Sequence, residues 1–285
     1  MKNLTVISGK GGTGKTSLVG SFAVLGNPDL VLVDADVDAA NLSLITTPEV
    51  LEEHEFRASC VAEIDHDRCL SCNLCRELCR FEAIDENFVV DPIACEGCGF
   101  CYYTCPEKAI EMVEALSARW FVSRTGYGTL VHARLGIAEE NSGRLVTEIR
   151  NKAQEIAEKE KKSHILIDGP PGIGCPVIAS LSGIDAALIV TEPTVSGIHD
   201  LGRIVSVCRH FGVTASVCVN RYDLDEKQTA YIGEYCRKEN IKLIGKVPFD
   251  RRFVEAVVEG IPVAEYCGGA LRDNLEEIWN NFLYQ

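Results

Sequence analysis

The stretch Ser8-Gly9-Lys10-Gly11-Gly12-Thr13-Gly14-Lys15-Thr16 decides the fold of this chain. It fits the pattern G-x-x-x-x-G-K-[ST], with the final Gly, Lys and Thr in register. The apolar residues 4–7 before it are typical of a buried parallel strand, and residues 17–25 after it have the pattern of a helix. Glycines at such a junction allow backbone N–H groups to converge on an anion at the helix N-terminus. The stretch therefore predicts a phosphate-binding loop (P-loop).

This loop predicts a site for ATP or ADP with Mg²⁺. Lys15 would reach the β- and γ-phosphates, and the hydroxyl of Thr16 would bind Mg²⁺. The alternative is a glycine-rich turn with a chance lysine, but the strand and helix on either side favour the nucleotide site. The residues predicted to contact the nucleotide here are Gly9, Gly11, Gly12, Thr13, Gly14, Lys15, Thr16 and Ser17.

Composition narrows the classes of protein to consider. The 285 residues are 46% apolar, which is enough for a sizeable core, yet no 18-residue apolar run suggests a membrane-spanning helix. The N-terminus lacks the layout of a signal peptide, so a cytoplasmic protein is expected. The net charge of −14 argues against direct binding to nucleic acid or to an anionic membrane.

Acidic residues follow two further apolar runs that read as strands. Asp36 lies just beyond residues 30–34, where the ligand-binding edge of a parallel sheet is expected. We predict a catalytic role for Asp36 near the metal or the attacking water, whereas Asp38 is also explained by the preference of helix N-termini for acids. Asp168 ends the second strand and would hold Mg²⁺ through its water shell, and Gly172 would bring a backbone N–H near the γ-phosphate.

Nine of the fourteen cysteines lie between positions 60 and 105, which indicates metal binding because disulfides are rare in a reducing compartment. Two runs have the C-x₂-C-x₂-C-x₃-C spacing of [4Fe–4S] sites, and together they form a 26-residue repeat. Since the fourth ligand of each cluster comes from the other run, the predicted sets are Cys69, Cys72, Cys75 and Cys105, and Cys95, Cys98, Cys101 and Cys79. Zinc is the alternative, but zinc ribbons do not need the third and fourth cysteines at these offsets.

Later strands are expected at residues 186–190, 215–219 and 242–247. Asn220 and Pro248 follow two of them and are candidates for contacting a nucleotide base. The scattered cysteines Cys208, Cys218, Cys236 and Cys267 are expected to be small buried apolar residues.

The fold class predicted is α/β, with a mostly parallel P-loop NTPase sheet flanked by helices and an inserted small α+β ferredoxin-like domain. The predicted boundaries are 1–56 and 117–285 for the two parts of the ATPase domain and 57–116 for the insert, because the cysteine-rich segment interrupts the strand pattern. Cys60 lies in that insert without an assigned partner.

Three motifs together resemble the deviant P-loop ATPases of the MinD/Mrp/ParA and nitrogenase iron-protein group. They are Lys10-Gly-Gly-Thr-Gly-Lys15-Thr16, Asp34-x-Asp36 and Asp168-Gly-Pro-Pro-Gly172. With its cysteine-rich segment, the whole chain resembles MinD-superfamily ATPases with an inserted ferredoxin domain. The resemblance implies a homodimer or heterodimer that sandwiches ATP, with Lys10 reaching the partner's nucleotide. It also implies that Lys10, Lys15, Asp36 and Asp168 form the catalytic set and that Asn220 and Pro248 bind adenine.

Two departures limit that resemblance. The nitrogenase iron protein bridges its dimer with a cluster held by two cysteines per subunit, and here Cys175 matches one of them while Asn141 stands near the other. The C-x-x-C pair of Mrp-type cluster carriers is absent from the C-terminal half. A bridging cluster of either kind is therefore not expected.

The leading functional hypothesis is an ATPase whose nucleotide state is coupled to two [4Fe–4S] clusters that exchange electrons with a partner protein. One alternative is an ATPase for iron–sulfur cluster assembly or carriage, which the two complete cysteine sets disfavour. Another is a MinD- or ParA-like positioning ATPase, for which the chain lacks a basic amphipathic anchor.

Overall fold

The computed structural model describes residues 1–26, 28–136 and 142–284, which form two compact units. The first contains Met1–Glu53, Trp120–Arg134 and the described residues from 142 onward, and the second contains His54–Arg119 with residues 135 and 136.

The strands are β1 (Lys2–Ser8), β2 (Leu30–Asp34), β3 (Glu49–Ile64), β4 (Ile110–Thr125), β5 (Gly128–Leu135), β6 (His164–Pro171), β7 (Ala186–Thr191), β8 (Thr214–Asn220) and β9 (Lys242–Val247). The helices are α1 (Lys15–Gly26), α2 (Leu42–Thr46), α3 (Leu74–Leu78), α4 (Phe100–Thr104), α5 (Ser142–Glu160), α6 (Cys175–Leu181), α7 (Val195–His210), α8 (Glu226–Lys238), α9 (Arg252–Val258), α10 (Val263–Tyr266) and α11 (Ala270–Leu283). A short 3₁₀ turn spans Tyr222–Leu224.

The strand order in the sheet is β3-β4-β5-β2-β6-β1-β7-β8-β9. From β5 to β9 the neighbouring strands run parallel, which confirms the predicted mostly parallel sheet. Only Gly126 and Tyr127 connect β4 to β5, and a connection of two residues requires an antiparallel pair. All residues of β2 and β7 are buried, as expected for strands covered by helices on both faces.

Aromatic side chains fill the core between the sheet and its C-terminal helix. Phe22 of α1 lies with its ring centroid 5.2 Å from that of Trp279 in α11, and Phe282 of the same helix is fully buried. Trp279 and Phe282 therefore anchor α11 against α1. Side-chain caps begin two other helices, since Thr194 accepts from the N–H of Gly197 in α7 and Asp225 accepts from that of Gln228 in α8.

The second unit repeats its own backbone after 26 residues, which confirms the repeat seen in the sequence. Helices α3 and α4 occupy equivalent positions, and each is preceded by a residue with positive φ. Three positive-φ positions recur at this offset, in the pairs Ser71 and Gly97, Asn73 and Gly99, and Glu82 and Lys108.

The long strands β3 and β4 differ from the expectation. The predicted domain boundaries at 56/57 and 116/117 fall inside these strands, each of which contributes residues to both units. The residues of β3 that belong to the first unit, 49–53, are largely charged and exposed, so they carry no apolar strand pattern. The division into 1–56, 57–116 and 117–285 stays a prediction.

Candidate functional site

The P-loop connects the end of β1 to the start of α1. Ser8 Oγ donates to the carbonyl of Lys10 at 2.6 Å, which tightens the turn. Gly12 and Gly14 have φ angles of 77° and 88°, a region that side chains other than glycine rarely adopt. A Cβ on Gly14 would also lie 2.4 Å from Nδ2 of Asn220. These two positions therefore require glycine.

A cavity of about 750 Å³ lies against this loop. Six of the predicted nucleotide-contacting residues and Asp36 line it, together with residues from α2, the β6–α6 segment and the end of β8. The lining residues include Gly11, Gly12, Gly14, Lys15, Thr16, Ser17, Asp36, Asp38, Asn41, Pro171 and Arg221. Its size and its position at the carboxyl ends of the strands are typical of a nucleotide site in a parallel α/β fold.

The charges of the site lie close together at its floor. Lys15 Nζ is 4.0 Å from Asp36 Oδ2, and only 5% and 13% of these side chains are exposed. Burial raises the pKa of Asp36, and Lys15 opposes that rise. Lys15 is therefore paired with an acid in this structure.

Asp168 is fully buried, and neither of its carboxylate oxygens has a hydrogen-bond partner of good geometry among the described residues. Burial raises its pKa, while Lys15 and the neighbouring Thr16 hydroxyl act in the opposite direction. Unpartnered buried carboxylates are rare in proteins, because they are costly unless a ligand or ion completes them. The pair of Asp168 and Thr16 therefore fits a hydrated Mg²⁺, which prefers oxygen ligands.

Asp34 has a different environment from Asp168, although the two residues are neighbours in the β2–β6 register. Its Oδ2 accepts from the N–H of Leu42 at 3.0 Å, and its Oδ1 accepts from that of Asp36 at 3.3 Å. Burial and the charge of Asp168 raise the pKa of Asp34 well above its usual range. Asp34 therefore shapes the loop that carries Asp36.

The structure does not bring every predicted residue to this cavity. The N–H of Gly172 donates to the carbonyl of Ser8 at 2.8 Å, so in this structure it is not available to a phosphate. Asn220 is buried, with Nδ2 donating to Thr13 O at 2.8 Å and Oδ1 accepting from Arg221 N at 3.0 Å. Pro248 lines a different cavity of about 660 Å³. Their contacts with a nucleotide stay predictions.

Three residues near the P-loop form a contact that the sequence did not indicate. Lys10 Nζ lies 3.2 Å from Glu192 Oε2, and the other oxygen of Glu192 accepts from Arg221. Glu192 and Arg221 directly follow strands β7 and β8. Their positions just beyond the strand ends are the only feature of the sequence that could have indicated this contact.

Eight of the nine cysteines of the second unit line two cavities, and all nine are free thiols. One cavity is lined by Cys69, Cys72, Cys75 and Cys105. The other is lined by Cys79, Cys95, Cys98 and Cys101. The structure thus brings together the same two groups of four that the spacing predicts, with one cysteine of each group contributed by the other half of the repeat.

The two groups of four cysteines could in principle bind a single metal ion each, such as zinc. Among residues 1–26, 28–136 and 142–284, no group of three or more His, Cys, Asp or Glu side chains is placed to hold one metal ion. Tetrahedral zinc would bring sulfur atoms to about 3.8 Å from each other. The backbone N–H groups of Ser71 and Ala109 donate to Cys69 Sγ and Cys105 Sγ, and hydrogen bonds to sulfur are a feature of iron–sulfur sites. Burial and neighbouring cysteines raise the pKa of the thiols of Cys75 and Cys101.

The remaining cysteines fall into two groups. Cys208, Cys218, Cys236 and Cys267 are buried, which confirms their predicted packing role. Cys60 and Cys175 are exposed, and the position expected to pair with Cys175, Asn141, lies outside the described residues. Within the described chain, no helix has the length and apolar character needed to cross a membrane.

A strand, P-loop and helix at the carboxyl edge of a parallel sheet, with buried acids on the neighbouring strands, define a P-loop nucleotide-binding α/β protein. The chain belongs to the CobQ/CobB/MinD/ParA nucleotide binding domain family, whose family profile matches residues 4–263.

The individual proteins that resemble this chain match different fractions of its length. The "Uncharacterized protein MJ0578" of Methanocaldococcus jannaschii is 33% identical over 249 residues, covering 87% of this chain and 84% of that protein. The pyruvate synthase subunit PorD of Methanothermobacter marburgensis is 41% identical over 49 residues, covering 17% of this chain and 60% of PorD. The structure of septum site-determining protein MinD with Mg-ADP from Pyrococcus horikoshii covers 98% of this chain and 94% of MinD, with a TM-score of 0.61 and 19% identity, which shows a shared fold.

Proposed function

We propose that this protein is a Mg²⁺-dependent ATPase that dimerises around ATP and couples its nucleotide state to two [4Fe–4S] clusters. The clusters would exchange electrons with a partner protein. The observation that carries the proposal is the grouping of eight cysteines into two sets of four around two cavities.

The nucleotide half of the proposal assigns roles to the residues of the P-loop cavity. Lys15 would exchange its contact with Asp36 for the β- and γ-phosphates, because a phosphate carries more negative charge than one carboxylate. That exchange would free Asp36 to orient the attacking water. Mg²⁺, held by Thr16 and through water by Asp168, would neutralise charge that develops on the phosphate oxygens.

In this proposal, the second unit is an inserted ferredoxin-like domain. One cluster would be held by Cys69, Cys72, Cys75 and Cys105, and the other by Cys95, Cys98, Cys101 and Cys79. The partial similarity to PorD, a subunit of a pyruvate synthase, supports a redox role. Such clusters supply one-electron transfer, and this chain's own contribution is to hold and shield them.

The coupling between the nucleotide site and the clusters would pass along β3 and β4, since each strand contributes residues to both units. Twelve residues separate Asp36 from Glu49, the first residue of β3, so a change at the nucleotide site would act on the segment that leads into that strand. We infer that nucleotide binding alters how the clusters meet a redox partner.

Anaerobic purification and spectroscopy test the cluster assignment. Two [4Fe–4S] clusters require about eight iron atoms per chain and two interacting reduced signals in electron paramagnetic resonance. Cys72→Ser and Cys98→Ser should each remove or alter one signal, whereas Cys60→Ser, an exposed cysteine of the same unit, should leave both unchanged. A chain that binds zinc and no iron under these conditions would contradict the assignment.

Hydrolysis and coupling need separate measurements. Phosphate release should require Mg²⁺ and disappear in Asp36→Ala, while nucleotide binding persists in that variant. The rate at which a redox dye reoxidises the reduced clusters should differ between nucleotide-free and ATP-bound protein. Rapid transfer of the clusters to an apo-ferredoxin would instead favour the role of a cluster carrier.

A further inference from the structure

Glu192 binds two cations beside the nucleotide cavity. Its Oε2 lies 3.2 Å from Lys10 Nζ, and its Oε1 accepts from Arg221, which lines the cavity. Only 12% of the Glu192 side chain is exposed, compared with 31% of Lys10 and 40% of Arg221. A carboxylate so far removed from water depends on its cationic partners.

The surroundings of Lys10 keep its amine on the side of Glu192. Lys10 Nζ is also 3.4 Å from the hydroxyl of Thr194, which caps helix α7. The preceding glycine packs tightly against that helix, because a Cβ on Gly9 would lie 2.3 Å from Cβ of Asp200. With the backbone held in this way, Lys10 can reach another group only by turning its side chain away from Glu192.

We propose that Glu192 is a positioning residue that binds Lys10 within its own subunit until the nucleotide of a partner subunit competes for it. This inference rests on the proposed ATP-sandwich dimer, in which Lys10 crosses to the partner's phosphates. Arg221 remains with Glu192 when Lys10 leaves, so the buried carboxylate keeps one cationic partner. The Lys10–Glu192 pair then sets a threshold: dimerisation occurs only when the bound phosphates attract Lys10 more strongly than Glu192 does.

The dimer dissociation constant measures this threshold. Sedimentation velocity with Mg²⁺ and a non-hydrolysable ATP analogue compares the parent chain with Glu192→Gln, which keeps the shape of the side chain but removes its charge. We expect the dimer dissociation constant to fall by about fivefold, the size of effect typical of one partly exposed ion pair. The matched control is Glu239→Gln, which removes an ion pair to Arg209 in the same unit and should change nothing.

A second measurement follows the chemical reactivity of the Lys10 amine in the nucleotide-free protein. The rate at which its amine is acylated, followed by peptide mass spectrometry, should rise several-fold in Glu192→Gln, while Lys152, paired with Glu52, serves as the unchanged reference. If Glu192→Gln does not fold, the parent chain alone decides the point, because Lys10 should then react several-fold more slowly than the exposed Lys246.

The outcomes separate this inference from the proposed function. A parent chain that stays monomeric with the analogue, or a Lys10→Ala variant that dimerises as well as the parent, would overturn the ATP-sandwich dimer. A parent that dimerises through Lys10, combined with a Glu192→Gln variant whose dimer is equally strong or weaker, would overturn the role of Glu192. Equal acylation rates of Lys10 in the parent and in Glu192→Gln would do the same.

Discussion

Replacing the P-loop glycines by alanine one at a time should produce a graded loss of stability. Gly11, Gly12 and Gly14 lie in the same loop, but the structure gives each a different constraint. Gly11 has no positive φ, and no atom lies within 4 Å of the place that an alanine methyl group would take. Gly12 has a φ of 77° with open space, and Gly14 has a φ of 88° with Asn220 Nδ2 only 2.4 Å from the added methyl group.

The expected free-energy changes follow from these constraints. Gly11→Ala should be neutral or stabilise by up to about 1 kcal/mol, because alanine reduces the entropy of the unfolded chain. Gly12→Ala loses about 1–2 kcal/mol to left-handed backbone strain and regains part of it from the same entropy. Gly14→Ala adds displacement of the Asn220 amide and loss of its bond to Thr13, about 1 kcal/mol more. Its net destabilisation should be about 2–3 kcal/mol.

Urea unfolding of the nucleotide-free protein, followed by the fluorescence of Trp120 and Trp279, reports on the first unit, which contains both tryptophans. The decisive result is the order of the three variants in free energy of unfolding. The same titrations followed by circular dichroism should give equal m-values for the three variants, which checks that they unfold in the same way. If Gly11→Ala were as destabilising as Gly14→Ala, the reasoning from φ and from the Asn220 contact would be refuted.

Three further changes test other parts of the first unit. Burial lowers the pKa of His132 to about 4, so the unfolded chain takes up a proton between pH 6.5 and 4 that the folded chain does not; stability should fall by up to about 3 kcal/mol over that window, and His132→Gln should flatten the loss in urea titrations at several pH values. Phe22→Ala should cost about 3–5 kcal/mol, because the ring is fully buried against Trp279, and a loss below 1 kcal/mol would contradict that packing. Asp168→Asn should raise the melting temperature of the nucleotide-free protein by removing a fully buried charge, yet abolish the stabilisation by Mg-ADP; a retained Mg-ADP shift in calorimetry would exclude the metal role.

The sequence predicts the parts of this molecule that depend on short-range patterns. The P-loop junction, the buried run of β2 and the cysteine spacing each lie within one continuous segment, so local chemistry is sufficient to recognise them. The charged start of β3 forms a strand because β3 pairs with β4, since its side chains show no alternation of apolar and polar residues.

The site shows the same limit. Glu192 and Arg221 are 29 residues apart, and they meet only because parallel strands β7 and β8 end side by side. Asn220 is a second example. Its position at a strand end predicts a base contact, which stays a prediction, but gives no sign that its Nδ2 donates to the carbonyl of Thr13 in the P-loop, 207 residues away in sequence. Contacts of this kind are set by the packed fold.

The exchange of one cysteine between the halves of the repeat has a consequence for how the second unit could have arisen. Cys105 completes the group around Cys69, and Cys79 completes the group around Cys95, so neither half encloses a full set by itself. A free-standing half would need a second copy of itself to complete even one group of four cysteines, and its assembly would depend on concentration. Joining the copies in one chain replaces that encounter with an intramolecular one at a fixed, high effective concentration. A change that disables either half of the repeat therefore removes a cysteine from both groups of four.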